Sequence, residues 1–339
     1  MKTMLRRRIA VLALAGAAIL STAAARAEEQ VVRIAQQFGL SYLPLHVAID
    51  RKLIEKQAAV LGLDDVKVEV ATIGSGAAVN DALISGSIDV AMAGATVLLN
   101  LWDKTVDRDA IKGMMAIADS PIYFNSVDPR IRSIRDFTDT DRIAMTAGKG
   151  TQHALVLQMA AAQEFGWDER KRFDDLTVSM SHPDGVAALL SGGAVAKTHA
   201  TTVPFIQMEL ADPRAHTVFN SYDVVGGPHT LIVAYARESW YLANPMLYEA
   251  TYRGLSEAID IINADKAAAA ALFVRQEKSA LGEAEILAIL SDEKMIKFTA
   301  TPSRILPFAF YMSKNGTLKH KPESWKDVFF PNAHTLQGS

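Results

Sequence analysis

Glycine, serine, threonine and histidine gather in six short stretches of this 339-residue chain, each lying where an apolar run gives way to a helical pattern. Three come early: Gln36-Gln37-Phe38-Gly39-Leu40-Ser41-Tyr42, Thr72-Ile73-Gly74-Ser75-Gly76 and Ala93-Gly94-Ala95-Thr96. Three come later: Thr146-Ala147-Gly148-Lys149-Gly150-Thr151-Gln152-His153, Ser181-His182-Pro183-Asp184 and Thr198-His199-Ala200-Thr201-Thr202. Glycine lets a backbone approach a ligand closely, while hydroxyls and free amides at a helix start donate hydrogen bonds to an anion with the help of the helix dipole. Any one such loop is ordinarily a helix cap. Several on the same side of two sheets make a cleft that can hold an anionic or strongly polar small molecule. Phe38 and Tyr42 add aromatic faces that can stack on an organic ligand, and His153, His199 and His229 add hydrogen-bonding groups.

Other chemistries lack their residues. His153, His199 and His229 have no short ligand spacing and no flanking carboxylate cluster, and the chain has no cysteine, so no metal and no cofactor is expected. AGKGTQH lacks the spacing of a phosphate-binding loop. Neither G-x-S-x-G nor H-E-x-x-H is present, and no serine, histidine and carboxylate assemble from motif evidence. A binding module therefore fits better than a catalyst.

The elements that would position these loops come twice. ALISGSIDVAMAGATV (82–97) returns as ALLSGGAVAKTHATTV (188–203), with Ala82/Ala188, Leu83/Leu189, Ser85/Ser191, Gly86/Gly192, Thr96/Thr202 and Val97/Val203 identical. VVRIAQQ (31–37) has an echo in DRIAMTAG (141–148), and VKVEVATIG (66–74) in LTVSMSHPD (176–184). Both halves read strand, helix, strand, helix, strand, the pattern of a parallel sheet with returning helices. This predicts two α/β lobes, each delivering loops to one cleft.

Two segments would link them. SPIYFNSVDPRIRSIRDF (120–137) and VFNSYDVVGGPHTLIVAYA (218–236) share Phe-Asn-Ser-x-Asp, and two extended crossings would form a two-strand hinge. The expected boundaries are 28–120 with 225–339 for lobe 1 and 121–224 for lobe 2. From Glu238 onward alanine and leucine recur at helical spacing, with Asn244-Pro245 read as a cap and first-turn proline.

Lys2, Arg6, Arg7 and Arg8, the apolar run Ile9–Leu20 and Ala25-Arg26-Ala27 read as a secretory signal peptide covering residues 1–27. Its apolar run is short of the roughly 20 residues of a membrane span. Losing those five basic residues takes the formal charge from -3 to -8, which argues against a nucleic-acid partner. With no cysteine to carry a lipid, the expectation is a soluble, monomeric, unlipidated periplasmic protein.

The segments ALISGSIDVAMAG, DRIAMTAGKGTQHALVLQMAAAQEFG, LTVSMSHPDGVAALLSGG, FNSYDVVGG and KPESWKDVFF together resemble periplasmic solute-binding proteins of ABC importers, in the nitrate/sulfonate/taurine and thiamine-precursor-like group. The resemblance covers nearly all of the chain after residue 27. It implies a type II periplasmic-binding-protein fold, a small-molecule ligand such as a sulfonate, nitrate, carboxylate or pyrimidine, and delivery to an inner-membrane ABC permease with its ATPase. It places ligand loops at Phe38–Tyr42, Gly74–Gly76, Ala95 and Thr96, Thr151–His153, and the return crossing from Gly227 through His229 to Thr230. AVAKTHATTVPF departs from the family pattern around His199 and Thr201. A related enzyme branch makes the thiamine pyrimidine with a cysteine-rich iron motif, which this chain lacks. Two rival readings remain: a periplasmic enzyme with His153 or His199 as acid or base, and a sensor partner that presents its closed form to a receptor.

Overall fold

The computed structural model describes residues 28–147, 150–192 and 194–339. The signal-peptide expectation at 1–27, Gly148 and Lys149 of one candidate loop, and Gly193 of the repeat lie outside the described residues.

The chain begins with β1 (Val31–Gln36), β2 (Lys67–Thr72), β3 (Val90–Gly94) and β4 (Ile111–Asp119). It crosses to a second sheet for β5 (Tyr123–Ser126), β6 (Ile143–Met145), β7 (Thr177–Ser179), β8 (Thr198–Thr201) and β9 (His216–Asn220). It then returns for β10 (Thr230–Arg237) and β11 (Lys297–Phe298). The first sheet runs β11-β4-β10-β3-β1-β2 and the second β7-β6-β8-β5-β9. Each contains three parallel strands with the earliest of the three in sequence in the middle, followed by one antiparallel strand supplied by a crossing. The repeated sequence pattern is thus a repeated topology, and the expected two-lobe α/β architecture is the one observed.

Strand composition follows position. β3, β4 and β10 read as nearly continuous apolar runs and are buried almost throughout, as strands covered on both faces must be. β2 carries Lys67 and Glu69 and is largely exposed, which suits a sheet edge.

The copies differ in one respect that sequence alignment without gaps hides. β1 pairs Ile34 with Val90, while β6 pairs Ile143 with Thr198. If Ile34 and Ile143 are equivalent, Val90 corresponds to Thr198 and Gly94 to Thr202. The second copy spends two more residues between its helix end and its strand, so Thr96 and Thr202, identical in the sequence match, do not occupy matching places.

The crossings are shorter than the sequence implied. Phe124 and Phe219 lie inside β5 and β9, where they are cross-strand partners with rings stacked 4.2 Å apart. The linking segments contract to residues 120–122 and 221–229. They touch directly: Ser221 N donates to Ile122 O at 2.8 Å and Ile122 N to Ser221 Oγ at 2.8 Å. Thr230 Oγ1 then donates to Asp119 Oδ1 at 2.9 Å where the return strand joins the first sheet.

The helices predicted after Glu238 form at Pro245–Ala264, Lys266–Glu277, Glu283–Ser291 and Ile305–Lys314. Pro245 does open its helix, but the Asn244 side chain makes no cap bond; its Oδ1 accepts instead from Glu29 N at 2.8 Å, tying down the start of β1.

Candidate functional site

A cavity of about 40 Å³ lies where the two lobes meet. Lobe 1 supplies Gln37, Phe38, Ser41 and Tyr42 from the segment after β1, and Gly74 and Gly76 from the loop after β2. Gly94 and Val97 come from the end of β3 and the helix after it, and Leu231 and Ile232 from β10. Lobe 2 supplies Thr146 and Thr151, then Gln152 and His153 at the start of the Gln152–Phe165 helix, and finally His182 and Thr202. No lysine or arginine is among the described residues that line it.

Local sequence explains why these loops converge. Ser75, Thr151 and Ser181 are N-caps whose hydroxyls accept from Ala78 N, Ala154 N and Asp184 N, so three helices begin facing the cleft with their first turns fixed. Gly39, at φ 127°, lets the lobe 1 loop lie against lobe 2, where Leu40 N donates to Val203 O at 3.1 Å.

Of the sequence candidates, Phe38, Tyr42, Gly74, Gly76, Thr151, Gln152 and His153 line the cavity. The others lie around it. Ser75 caps its helix. Ala95 is buried at the start of the following helix, and Thr96 Oγ1 turns to Gly150 O at 3.4 Å, because the register difference puts Gly94 at the wall instead. His199 is buried in the middle of the second sheet, and Thr201 on the same strand has a buried hydroxyl with no hydrogen-bond partner. Gly227 packs against the Arg304 guanidinium. His229 and Thr230 sit one layer behind the wall and hold Gln152: its Nε2 donates to His229 Nδ1 at 3.0 Å and to Thr230 O at 2.9 Å.

Both of those hydrogen bonds leave from Nε2, while Gln152 Oε1 has no partner and lies over Gly94, buried in the cavity wall. Ser41 Oγ and His153 Nε2 are likewise buried and unpartnered at the wall. Buried polar atoms without partners are costly, and three of them converge on this one cavity.

His182 is one of the wall residues that sequence reasoning passed over, along with Ser41, Thr146 and Thr202. Its loop was singled out but the residue was not, although the repeat that aligns Ala82 with Ala188 also aligns Gly76, a candidate, with His182. The His182 ring stacks on Phe205 and lies 5.4 Å from His153 and 5.3 Å from His199, centroid to centroid. Its Nδ1 is 3.3 Å from His199 Nε2, and His199 Nδ1 is 2.5 Å from Glu209 Oε1. Glu209 Oε2 accepts from Asn125 Nδ2 at 3.0 Å, and Asn125 Oδ1 accepts from Thr217 Oγ1 at 2.9 Å.

Burial, reinforced by neighbouring histidines, pushes His153 down to about 3 and holds His182 well below the ordinary histidine value. Burial takes His229 down to about 4. All three are therefore neutral imidazoles at neutral pH, each with one donor and one acceptor nitrogen. Among the described residues, no group of three or more histidine, cysteine, aspartate or glutamate side chains is arranged to hold a metal ion.

No family model and no curated protein matches the chain. Solved structures do match, at the level of fold. The alkanesulfonate-binding protein SsuA from Xanthomonas axonopodis pv. citri, bound to MOPS, superposes with a TM-score of 0.68 at 17% identity, over 89% of this chain and 99% of that one. The periplasmic nitrate-binding protein NrtA from Synechocystis PCC 6803 gives 0.67 at 15% identity, over 91% and 86%. The periplasmic aliphatic sulphonate binding protein SsuA from Escherichia coli gives 0.65 at 15% identity, over 89% and 92%. The chain has the periplasmic-binding-protein fold, two α/β lobes joined by two crossings.

Proposed function

We propose that this protein is the periplasmic solute-binding component of an ABC import system, which captures a small polar solute between its lobes and delivers it to an inner-membrane permease and its ATPase. The observation that carries this reading is a cavity walled by both lobes, with buried, unpartnered polar atoms from each: Ser41 Oγ from lobe 1, Gln152 Oε1 and His153 Nε2 from lobe 2. A solute that bonds to both lobes at once stabilises the closed arrangement by its differential affinity for it. The likeness in fold to the sulfonate- and nitrate-binding proteins supports the same role.

In this reading lobe 1 comprises 28–120 and 225–339, lobe 2 comprises 121–224, and 120–122 with 221–229 act as the hinge. The protein works as an exported, unlipidated monomer, and it releases its solute chemically unchanged. No helix among the described residues is long and apolar enough to cross a membrane. Native mass spectrometry of the protein purified without denaturation, followed by small-angle scattering with and without the recovered solute, tests the proposal. A bound small molecule and a smaller radius of gyration in its presence are expected; a solute converted to product, or no compaction, would overturn it.

A further inference from the structure

A second contact between the lobes lies outside the cavity. Gln152 and His153 open a lobe 2 helix at the wall, and Gln158 stands further along it, about 9 Å from Gln152 by the ordinary helical rise. Trp167 and Arg170 follow in the turn after that helix. Facing them is the last α-helix of lobe 1, Ile305–Lys314, with Asn315 at its end. Asn315 Oδ1 accepts from Arg170 Nε at 2.8 Å, and Asn315 Nδ2 donates to Gln158 Oε1 at 3.2 Å. Arginine only donates, so the sense of both bonds is fixed. Each lobe 2 partner is held from behind: Gln158 Nε2 donates to the Asp174 carboxyl oxygens at 2.9 and 3.0 Å, and Arg170 Nη1 to Trp167 O at 2.9 Å.

The Trp167 ring completes the contact. Tyr311 meets it edge-on at 5.3 Å between centroids, and Lys314 Nζ lies 4.0 Å and Arg170 Cζ 4.6 Å from its centroid. A cation over an indole face is attracted by the ring quadrupole, and Lys314 supplies that attraction from the opposite lobe. None of these six residues lines the cavity. The Ile305–Lys314 helix also reaches the return crossing, where the Phe308 ring meets that of His229 at 5.1 Å. Gln152 and Gln158 ride on one helix, so a rotation about 120–122 and 221–229 that parts Gln152 from Thr230 carries Gln158 with it.

We propose that Gln158, Trp167 and Arg170 of lobe 2 form, with Tyr311, Lys314 and Asn315 of lobe 1, a latch that holds part of the solute-free population closed. Affinity is then set in part by residues that never touch the solute. The apparent dissociation constant is the intrinsic one divided by the fraction of molecules in the binding-competent state. Loss of the latch lowers that fraction and weakens every solute by the same factor, whereas loss of a wall contact changes the preference among solutes. The latch goes beyond the receptor reading, because it concerns the resting balance between open and closed lobes.

Distances between spin labels test it in the free protein. The chain has no cysteine, so Val60→Cys in lobe 1 and Leu210→Cys in lobe 2, both exposed helix positions, carry the labels alone. The expected result is a closed and an open separation in the otherwise wild-type protein, with a closed-to-open ratio that falls at least about fivefold in Arg170→Ala. Asn315→Ala attacks the same bond from lobe 1. The double variant should therefore lose less than the two single losses multiplied together. An unchanged ratio, a larger closed fraction or fully independent losses, in variants whose urea midpoints show them folded, would overturn the inference.

Calorimetry with nitrate and with methanesulfonate gives the second readout. Arg170→Ala should weaken both probes by one common factor, since it touches neither. Unequal factors would place Arg170 in recognition of the solute and overturn the latch. The receptor reading fails on a separate result, the absence of compaction with the recovered solute.

Discussion

Gln152 Nε2, at the first position of a lobe 2 helix, donates to the carbonyl oxygen of Thr230 in the lobe 1 strand β10 at 2.9 Å. The same amide reaches His229 Nδ1, and its oxygen faces the cavity. One side chain therefore ties the lobes together and also presents a polar atom to the cavity. In the proposed receptor, closure and recognition are coupled through it.

Gln152→Ala should weaken both. Removing the amide leaves Thr230 O and His229 Nδ1 short of a partner in the closed state, a penalty of roughly 1–3 kcal/mol. Solute affinity is expected to fall by about tenfold or more, with the free protein expanding in small-angle scattering. The melting temperature of each lobe should change less, because Gln152 belongs to neither lobe's apolar core. A variant with wild-type affinity would show that this bond does not hold the cleft.

Phe124→Ala should have the opposite profile. Phe124 is fully buried in β5, stacked on Phe219 of β9, and lines no part of the cavity. Truncating it leaves a void in the lobe 2 core worth about 3–5 kcal/mol. Chemical denaturation should show that loss, while calorimetry on the remaining folded protein finds solute affinity little changed.

These two sites mark where the sequence was legible. The twofold α/β plan could be read because strand-helix alternation, Ser-Gly helix ends and matched segments are all local signals. The loops facing the cleft followed from the rule for open sheets, and Phe38, Gly74 and Gln152 do lie at the wall. Three features stayed hidden because they depend on distant pairing. Thr96 was read as the counterpart of Thr202, but strand register depends on hydrogen bonds to β1 and β6, which a gap-free match ignores. Phe124 and Phe219 were assigned to the crossings, whereas they pair with one another inside a sheet. The Glu209-His199-His182 chain joins residues 10 and 17 positions apart, a spacing that belongs to no motif and becomes a line only once β8 and its two flanking helices are packed.

Acid should destabilise the fold through its buried imidazoles. His153 is held at about 3, and His229 and His46 at about 4, with burial the main cause for each. The unfolded chain takes up these protons near pH 6.5, and the native protein does not until pH 3–4. Stability is therefore full above pH 6.5 and falls as pH drops toward about 4, by roughly 1.4 kcal/mol per unit for each group once well below 6.5. Urea midpoints at pH 7 and pH 5 check this; a midpoint that is equal or higher at pH 5 would contradict the burial of neutral histidines.

Gly39→Ala probes closure from the lobe 1 side. Gly39 holds φ at 127°, a conformation that side-chain-bearing residues rarely adopt. A Cβ there would lie 3.2 Å from Val203 O and 3.6 Å from the Phe205 ring, both in lobe 2. The bond from Leu40 N to Val203 O needs that close approach, so the added methyl group acts as a spacer between the lobes. Backbone strain of the order of 1–3 kcal/mol adds to the steric cost wherever this conformation is required. If it is required only on closing, an open form can relax it, and the penalty falls on binding more than on folding. The expected result is solute affinity reduced by at least about tenfold, equivalent to 1.4 kcal/mol, with a smaller change in the denaturation midpoint of the solute-free protein. Equal losses in both measurements would mean that the lobes meet at Gly39 whether or not a solute is present.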